Sequence, residues 1–220
     1  MKRIQMFLVA MLLMTIAASA AGPVKFQAGQ SVIYVEFYTD EIVRVSKFPV
    51  GKEIATQSLV VTAKPQDVKL TTKPNSVQSA KLTVKFNPQT FALSFYDAKG
   101  KLLLAEKSFS LEDRPGAVER NTYKLTQSFL LKKDEQIYGL GTIQDGKLSR
   151  RDAHILMEQS NLQDFQNVLQ SIEGWGCFGT IIPRPNLTAR QTVCSLPRKL
   201  PSMKTIILCT AARQTALSRR

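Results

Sequence analysis

Side chains able to do chemistry are few and scattered in this 220-residue chain. His154 is the single histidine, and the three cysteines, Cys177, Cys194 and Cys209, all lie late. Zinc sites draw three or four ligands from His, Cys and acidic residues at characteristic short spacings. With one histidine and no CxxC pair, the chain offers no metal site, and no cofactor is expected. Ser149 and Ser160 sit in no arrangement that supplies a base and an orienting acid, so a nucleophilic triad has no support. His154 reads as a surface or loop histidine. Gly139 and Gly141 lack the Lys-Ser/Thr pair and following helix of a phosphate loop. They read instead as a tight turn or bulge at a strand end. No residue is assigned a catalytic role.

The elements that would position these residues are strands. Leu82, Val84 and Phe86 alternate with Lys81, Thr83 and Lys85, the period of a strand buried on one face. Ser31–Tyr38 and Ile42–Phe48 flank the polar break Tyr38-Thr39-Asp40-Glu41 and read as a hairpin. Phe91, Leu93 and Phe95, the turn Asp97–Gly100 and Lys101–Ala105 read as a second hairpin. Thr122–Leu131 and Gln136–Leu140 add further strands. Turn signals recur along the body and helical periodicity is scarce, so the expected class is all-β, an antiparallel β-sandwich. Met157–Ser171 is the least β-like stretch of the body. It reads as a surface loop, or as a functional loop held out toward a ligand by a rigid sheet.

Residues 1–20 read as a secretory signal. Lys2 and Arg3 precede an apolar run from Met6 to Ile16, and Ala18-Ser19-Ala20 supplies small residues for cleavage after Ala20 or Ala21. A membrane span needs about 20 apolar residues, roughly twice this run. The mature protein is therefore expected to be periplasmic or secreted, with no membrane span. The net charge of +13 is concentrated outside the body. Residues 178–220 hold eight Lys or Arg and no acid, while 21–177 hold 20 Lys or Arg against all 17 acids. That balance is an ordinary surface, with no basic stripe interleaved with aromatics, so nucleic acid is not an expected partner. Three cysteines, none before Cys177, do not suggest a disulfide framework.

One ordered set of motifs carries a family resemblance. Gln136-Ile137-Tyr138-Gly139-Leu140-Gly141 is followed by Asp145 and Leu148-Ser149-Arg150-Arg151. Gln159-Ser160-Asn161-Leu162-Gln163-Asp164 and Gly174-Trp175-Gly176 come next, with Phe37–Val45 upstream. The set resembles the N-terminal domain of glycoside hydrolase family 31, over about residues 24–177. That resemblance implies a galactose-mutarotase-like β-sandwich and a parent enzyme acting on α-linked glucosyl or xylosyl units. It also implies that Asn161 and Asp164 belong to a loop lent to the substrate pocket, where Asp164 would accept hydrogen bonds from the hydroxyls of an α-linked oligosaccharide. Trp175 could stack on a sugar ring, but reads more simply as a core aromatic. The family's two catalytic aspartates lie on a (β/α)₈ barrel that follows this domain. Retaining chemistry needs two carboxyl groups about 5–5.5 Å apart, and such a barrel takes about 250 residues. The chain is therefore expected to be a non-catalytic fragment; the alternative is a stand-alone carbohydrate-binding or structural module.

Beyond Cys177 the resemblance breaks. The family continues with an aromatic pair and Asp-Asn-Tyr-Ser-Pro-Thr, whereas this chain reads Phe178-Gly179-Thr180-Ile181-Ile182-Pro183. One codon register over, Trp-Asp-Asn-Tyr-Ser-Pro-Thr is permitted. The same register permits Ser-Glu-Val across Leu196–Leu200 and Met/Leu-Tyr-Gly-Gly across Leu208–Ala212. The expected division is a signal at 1–20, a sandwich domain at 21–177 that is incomplete at its C-terminal end, and a frameshifted, poorly ordered tail at 178–220.

Overall fold

Leu82, Val84 and Phe86 are buried and Lys85 is exposed, so the sequence alternation becomes the two faces of one strand. The computed structural model describes residues 22–51, 61–113, 123–153, 155, 157, 161–179 and 205–211. Every regular element among them is a strand. In chain order these are β1 (Val24–Ala28), β2 (Ser31–Phe37), β3 (Ile42–Pro49), β4 (Thr71–Lys73), β5 (Ser76–Gln78), β6 (Leu82–Phe86) and β7 (Leu93–Asp97). They continue as β8 (Leu102–Asp113), β9 (Tyr123–Leu130), β10 (Ile137–Thr142), β11 (Asp164–Ser171), β12 (Trp175–Gly179) and β13 (Thr205–Ala211). One sheet has the order β1-β2-β3-β13-β12-β11-β10, the other β4-β5-β6-β7-β8-β9.

Both expected hairpins are present. Strands β2 and β3 pair from Ser31↔Pro49 to Phe37↔Val43. Their turn is closed by the Tyr38 N–H donating to the Ile42 carbonyl and by Thr39 Oγ1 accepting from the Glu41 and Ile42 amides. Strands β7 and β8 are joined through Asp97, whose Oδ1 accepts from the Lys99 and Lys101 amides.

The inner faces of the two sheets make one core. Val35, Phe37, Val43, Val45, Leu169 and Trp175 come from the first sheet; Val77, Val84, Leu93, Phe95 and Leu104 from the second. Phe26 of β1 stacks on Phe86 of β6 with ring centroids 5.1 Å apart. A second tie is polar. The Lys47 ammonium donates to Glu106 Oε1 at 2.6 Å and to Gln127 Oε1 at 3.0 Å, and lies over the Phe109 ring. Glu106 Oε2 accepts the Leu93 N–H at 2.8 Å, so the acid is satisfied on both oxygens.

Two expectations need correction. Asp164–Ser171, read as part of a polar loop, is the strand β11. Its alternation is real but written in polar residues: Asp164 and Gln166 are exposed, while Leu169 and Ser171 are buried against neighbouring strands. Thr205–Ala211 form a strand, and Phe178 and Gly179 complete β12. Strand β13 lies parallel to both β3 and β12, so the sandwich is antiparallel everywhere except there. Cys177 is disulfide-bonded, although the cysteine count did not suggest a framework. The signal at 1–20, His154, Ser160 and the rest of 178–220 lie outside the described residues.

Candidate functional site

The glycines of the Tyr-Gly-Leu-Gly stretch shape one end of the first sheet. Strands β10 and β11 pair regularly from Ile137↔Ser171 to Gly139↔Leu169, then shift to Gly141↔Phe165 and Thr142↔Asp164. Two steps along β10 thus span four along β11. Gly139, Leu140 and Gly141 take φ values of 117°, 68° and 90° in succession. A Cβ on Gly139 would stand 2.1 Å from the Val168 carbonyl oxygen, and one on Gly141 2.0 Å from that of Asp164. Only glycine tolerates both the backbone conformation and that approach. Leu140 is a branched side chain in the left-handed region, held there by pairing on either side while its side chain packs on the core.

This bulge sets the start of β11, and with it the two residues read as sugar-binding. Asp164 is the exposed first residue of β11, opposite Thr142. Asn161 is exposed in the turn three residues earlier. The fold therefore brings both to the mouth of the 143–163 connection. The near side of that connection is clamped. Arg150 donates to both Asp145 oxygens at 2.9 and 2.7 Å, and its amide donates to the Ile137 carbonyl. The Arg150 hydrogen bond holds the Asp145 carboxyl below its usual range, helped by the Lys147 amide. Ser149 donates to Gln136 Oε1 at 2.6 Å.

Trp175 belongs to the core, as its simpler reading expected. It is 1% exposed, and its indole N–H donates to Glu135 Oε1 at 2.7 Å. Ser171 donates to the same oxygen, and the Lys132 amide donates to Glu135 Oε2 at 2.9 Å. Arg151 closes the cluster through the carbonyls of Lys132 and Glu135. Sequence reasoning missed Glu135; nothing in its neighbourhood distinguishes a buried hub from a surface acid before a strand. Several other acids are engaged in structural contacts: Glu41 with Lys81, Glu106 with Lys47, and Glu173 with Lys101 and Lys132. Among the described residues no group of three or more His, Cys, Asp or Glu could hold a metal ion. No helix among them is long and apolar enough to cross a membrane.

Two facing sheets with a glycine bulge at one sheet end define a β-sandwich domain. The chain belongs to the family described as the glycosyl hydrolase 31 N-terminal galactose mutarotase-like domain, whose model matches residues 32–167. It is 31% identical over 85 residues to alpha-glucosidase 2 of Bacillus thermoamyloliquefaciens, covering 37% of this chain and 11% of that protein. The fold is similar to that of a family 31 α-xylosidase from Xanthomonas citri, with a TM-score of 0.62 and 24% identity over 72% of this chain and 18% of that one. It is also similar to a soil-metagenome α-xylosidase solved with xylose, with a TM-score of 0.59 and 23% identity over 70% of this chain and 26% of that one. The chain thus spans about a quarter or less of each of these relatives.

Proposed function

We propose that this domain is the front part of an exported α-glycosidase, which lends the Asn161–Asp164 loop to an α-glucosyl or α-xylosyl pocket and carries no catalytic carboxylate itself. The observation that carries the reading is the bulge at Gly139–Gly141, which holds Asp164 at a sheet end within a domain of this family. An exposed carboxylate suits the task because it accepts two hydroxyl donors at once. Purified residues 21–220 should give no turnover of p-nitrophenyl α-xyloside or α-glucoside; measurable turnover would sink the reading. The leader at 1–20 supports export, and N-terminal sequencing of exported product should start at Ala21 or Gly22. The near-neutral body of 21–177 supports a sugar partner over a nucleic acid.

The change of composition at about residue 178 is part of the same proposal: from there the translation has left the family's register. Sequencing codons 174–180 and the DNA downstream tests it. The neighbouring register should stay open past codon 220 and encode further family sequence; an early stop there would end the idea.

A further inference from the structure

The clamp on the near side of the 143–163 connection holds a reactive pair of residues. Asp145-Gly146 is the one Asp-Gly pair in the chain, and there is no Asn-Gly pair. An aspartate followed by glycine is open to attack on its own side chain, because glycine sets no Cβ beside the attacking nitrogen. In that reaction the Gly146 nitrogen attacks Cγ of the protonated Asp145 carboxyl. A C–N bond forms, a C–O bond breaks, and the hydroxyl leaves as water with the amide proton. Water then opens the five-membered succinimide at either carbonyl. One product is the original aspartate. The other is isoaspartate, whose main chain runs through the β-carbon and is one carbon longer.

The local structure favours the step in two ways. Both residues are exposed, and nothing lies within 4 Å of the place a Cβ would take on Gly146. The Lys147 amide donates to Asp145 Oδ1 at 3.1 Å, an Asx turn whose ring contains both the Asp145 Cγ and the Gly146 nitrogen. One contact opposes it. Arg150 Nη1 donates to both Asp145 oxygens, at 2.9 and 2.7 Å. That hydrogen bond, helped by the Lys147 amide, holds the carboxyl below its ordinary 3.8, in the ionised form that cannot expel water. Arg150 is itself fixed. Its amide donates to the Ile137 carbonyl, and its side chain is only 7% exposed. Its Nε–H has no acceptor, and Asp145 is the acid paired with it among the described residues. The buried guanidinium therefore depends on this contact as much as the carboxylate does.

We propose that Asp145-Gly146 is a site of isoaspartate formation, and that Arg150 is the lock that keeps it unreacted while the domain is folded. Opening of the 143–150 turn releases the lock, and reaction then makes the opening permanent. Isoaspartate moves the free carboxylate by one carbon and lengthens the chain between Thr142 and Arg150, so the carboxylate no longer meets Nη1 at the same place. The modification is thus an irreversible record that the connection from β10 to Asp164 has opened. Asp97 supplies an internal contrast. Its Oδ1 also accepts the amide two residues on, from Lys99 at 2.9 Å, but no arginine pairs with it among the described residues.

The test incubates the full chain at mildly acidic pH, both native and in urea above its unfolding midpoint. Isoaspartate is located by mass spectrometry of peptides labelled with an isoaspartyl methyltransferase. Formation at position 145 should be about tenfold or more slower in the native chain, and the suppression should exceed that at Asp97. Arg150→Gln, verified as folded by Trp175 emission, should restore most of the urea rate at 145 and leave Asp97 unchanged. Equal rates at 145 in the two solvents overturn the inference. So does a folded variant that leaves 145 slow or speeds both sites alike. If the variant does not fold, the wild-type ratios decide: stronger suppression at 145 than at Asp97 supports the lock, and equal or weaker suppression overturns it.

Discussion

Gly141 and Gly139 show how little side-chain chemistry is needed to place a loop. Replacing either with alanine sets a Cβ about 2 Å from a backbone oxygen at a positive φ. We expect a loss of about 3 kcal/mol or more in chemical denaturation, beyond ordinary strain because the strand pair must separate. Gly146 and Gly174 also have positive φ but open space around the missing Cβ, so alanine there should cost only about 1 kcal/mol. Equal losses at all four positions would show that conformation, not close approach, is what matters. Trp175 makes a second residue-scale test. It is the only tryptophan and is buried against Glu135, so its emission should be blue-shifted in the folded chain. Trp175→Phe removes the indole donor from a buried acid and should cost about 2–3 kcal/mol. The bulge and the core role of Trp175 were legible from residue type. The buried state of Glu135 was not, because its partners Ser171 and Trp175 arrive from β11 and β12, some 36 and 40 positions away.

At the scale of elements, the two sheets are tied by Lys47 of β3, Glu106 of β8 and Gln127 of β9. Both charged side chains are at least nine-tenths buried, so removing one leaves the other uncompensated. Lys47→Met should cost about 3–5 kcal/mol in denaturant unfolding, and adding Glu106→Gln should recover most of it. A double variant no better than the single one would mean that the ammonium acts by packing on Phe109. A second tie runs between turns. Hydrogen bonds from Lys132 and Lys101 hold the Glu173 carboxyl below its ordinary value of 4.5, and Glu173 in turn raises Lys101 above 10.5. The acid's contribution is therefore present above pH 4.5 and is lost as pH falls through its depressed folded value. The lysine's is present below 10.5 and is lost as pH rises through its raised one. In acid titrations the stability gap between wild type and Glu173→Gln should close below pH 4.5; a gap that persists would place its origin elsewhere. The hairpins β2–β3 and β7–β8 were legible because each contrasts an apolar period with a turn. Strand β11 was misread because most of its outward residues and two inward ones, Asn167 and Ser171, are polar, and its strand character comes from lying between β10 and β12.

For the whole molecule, the proposal predicts a domain that folds around its core yet performs no hydrolysis. Restoring the neighbouring register should yield a longer product with α-glycosidase activity. In that product Asp164→Ala should raise KM about tenfold or more with a smaller change in kcat, the pattern of a group that binds sugar without touching the reacting atoms. A folded restored product without activity would remove the glycosidase reading. The sequence alone determined the all-β class, most strand positions, the glycine bulge and the boundary where composition changes, since each is written in local period, residue type or charge. Only the tertiary structure decided that polar β11 is a strand, that Lys47 and Glu135 are interior, and that β3 and β12 run the same way with one place between them. Those facts depend on which strands become neighbours, and neighbours far apart in the chain leave no local pattern to read.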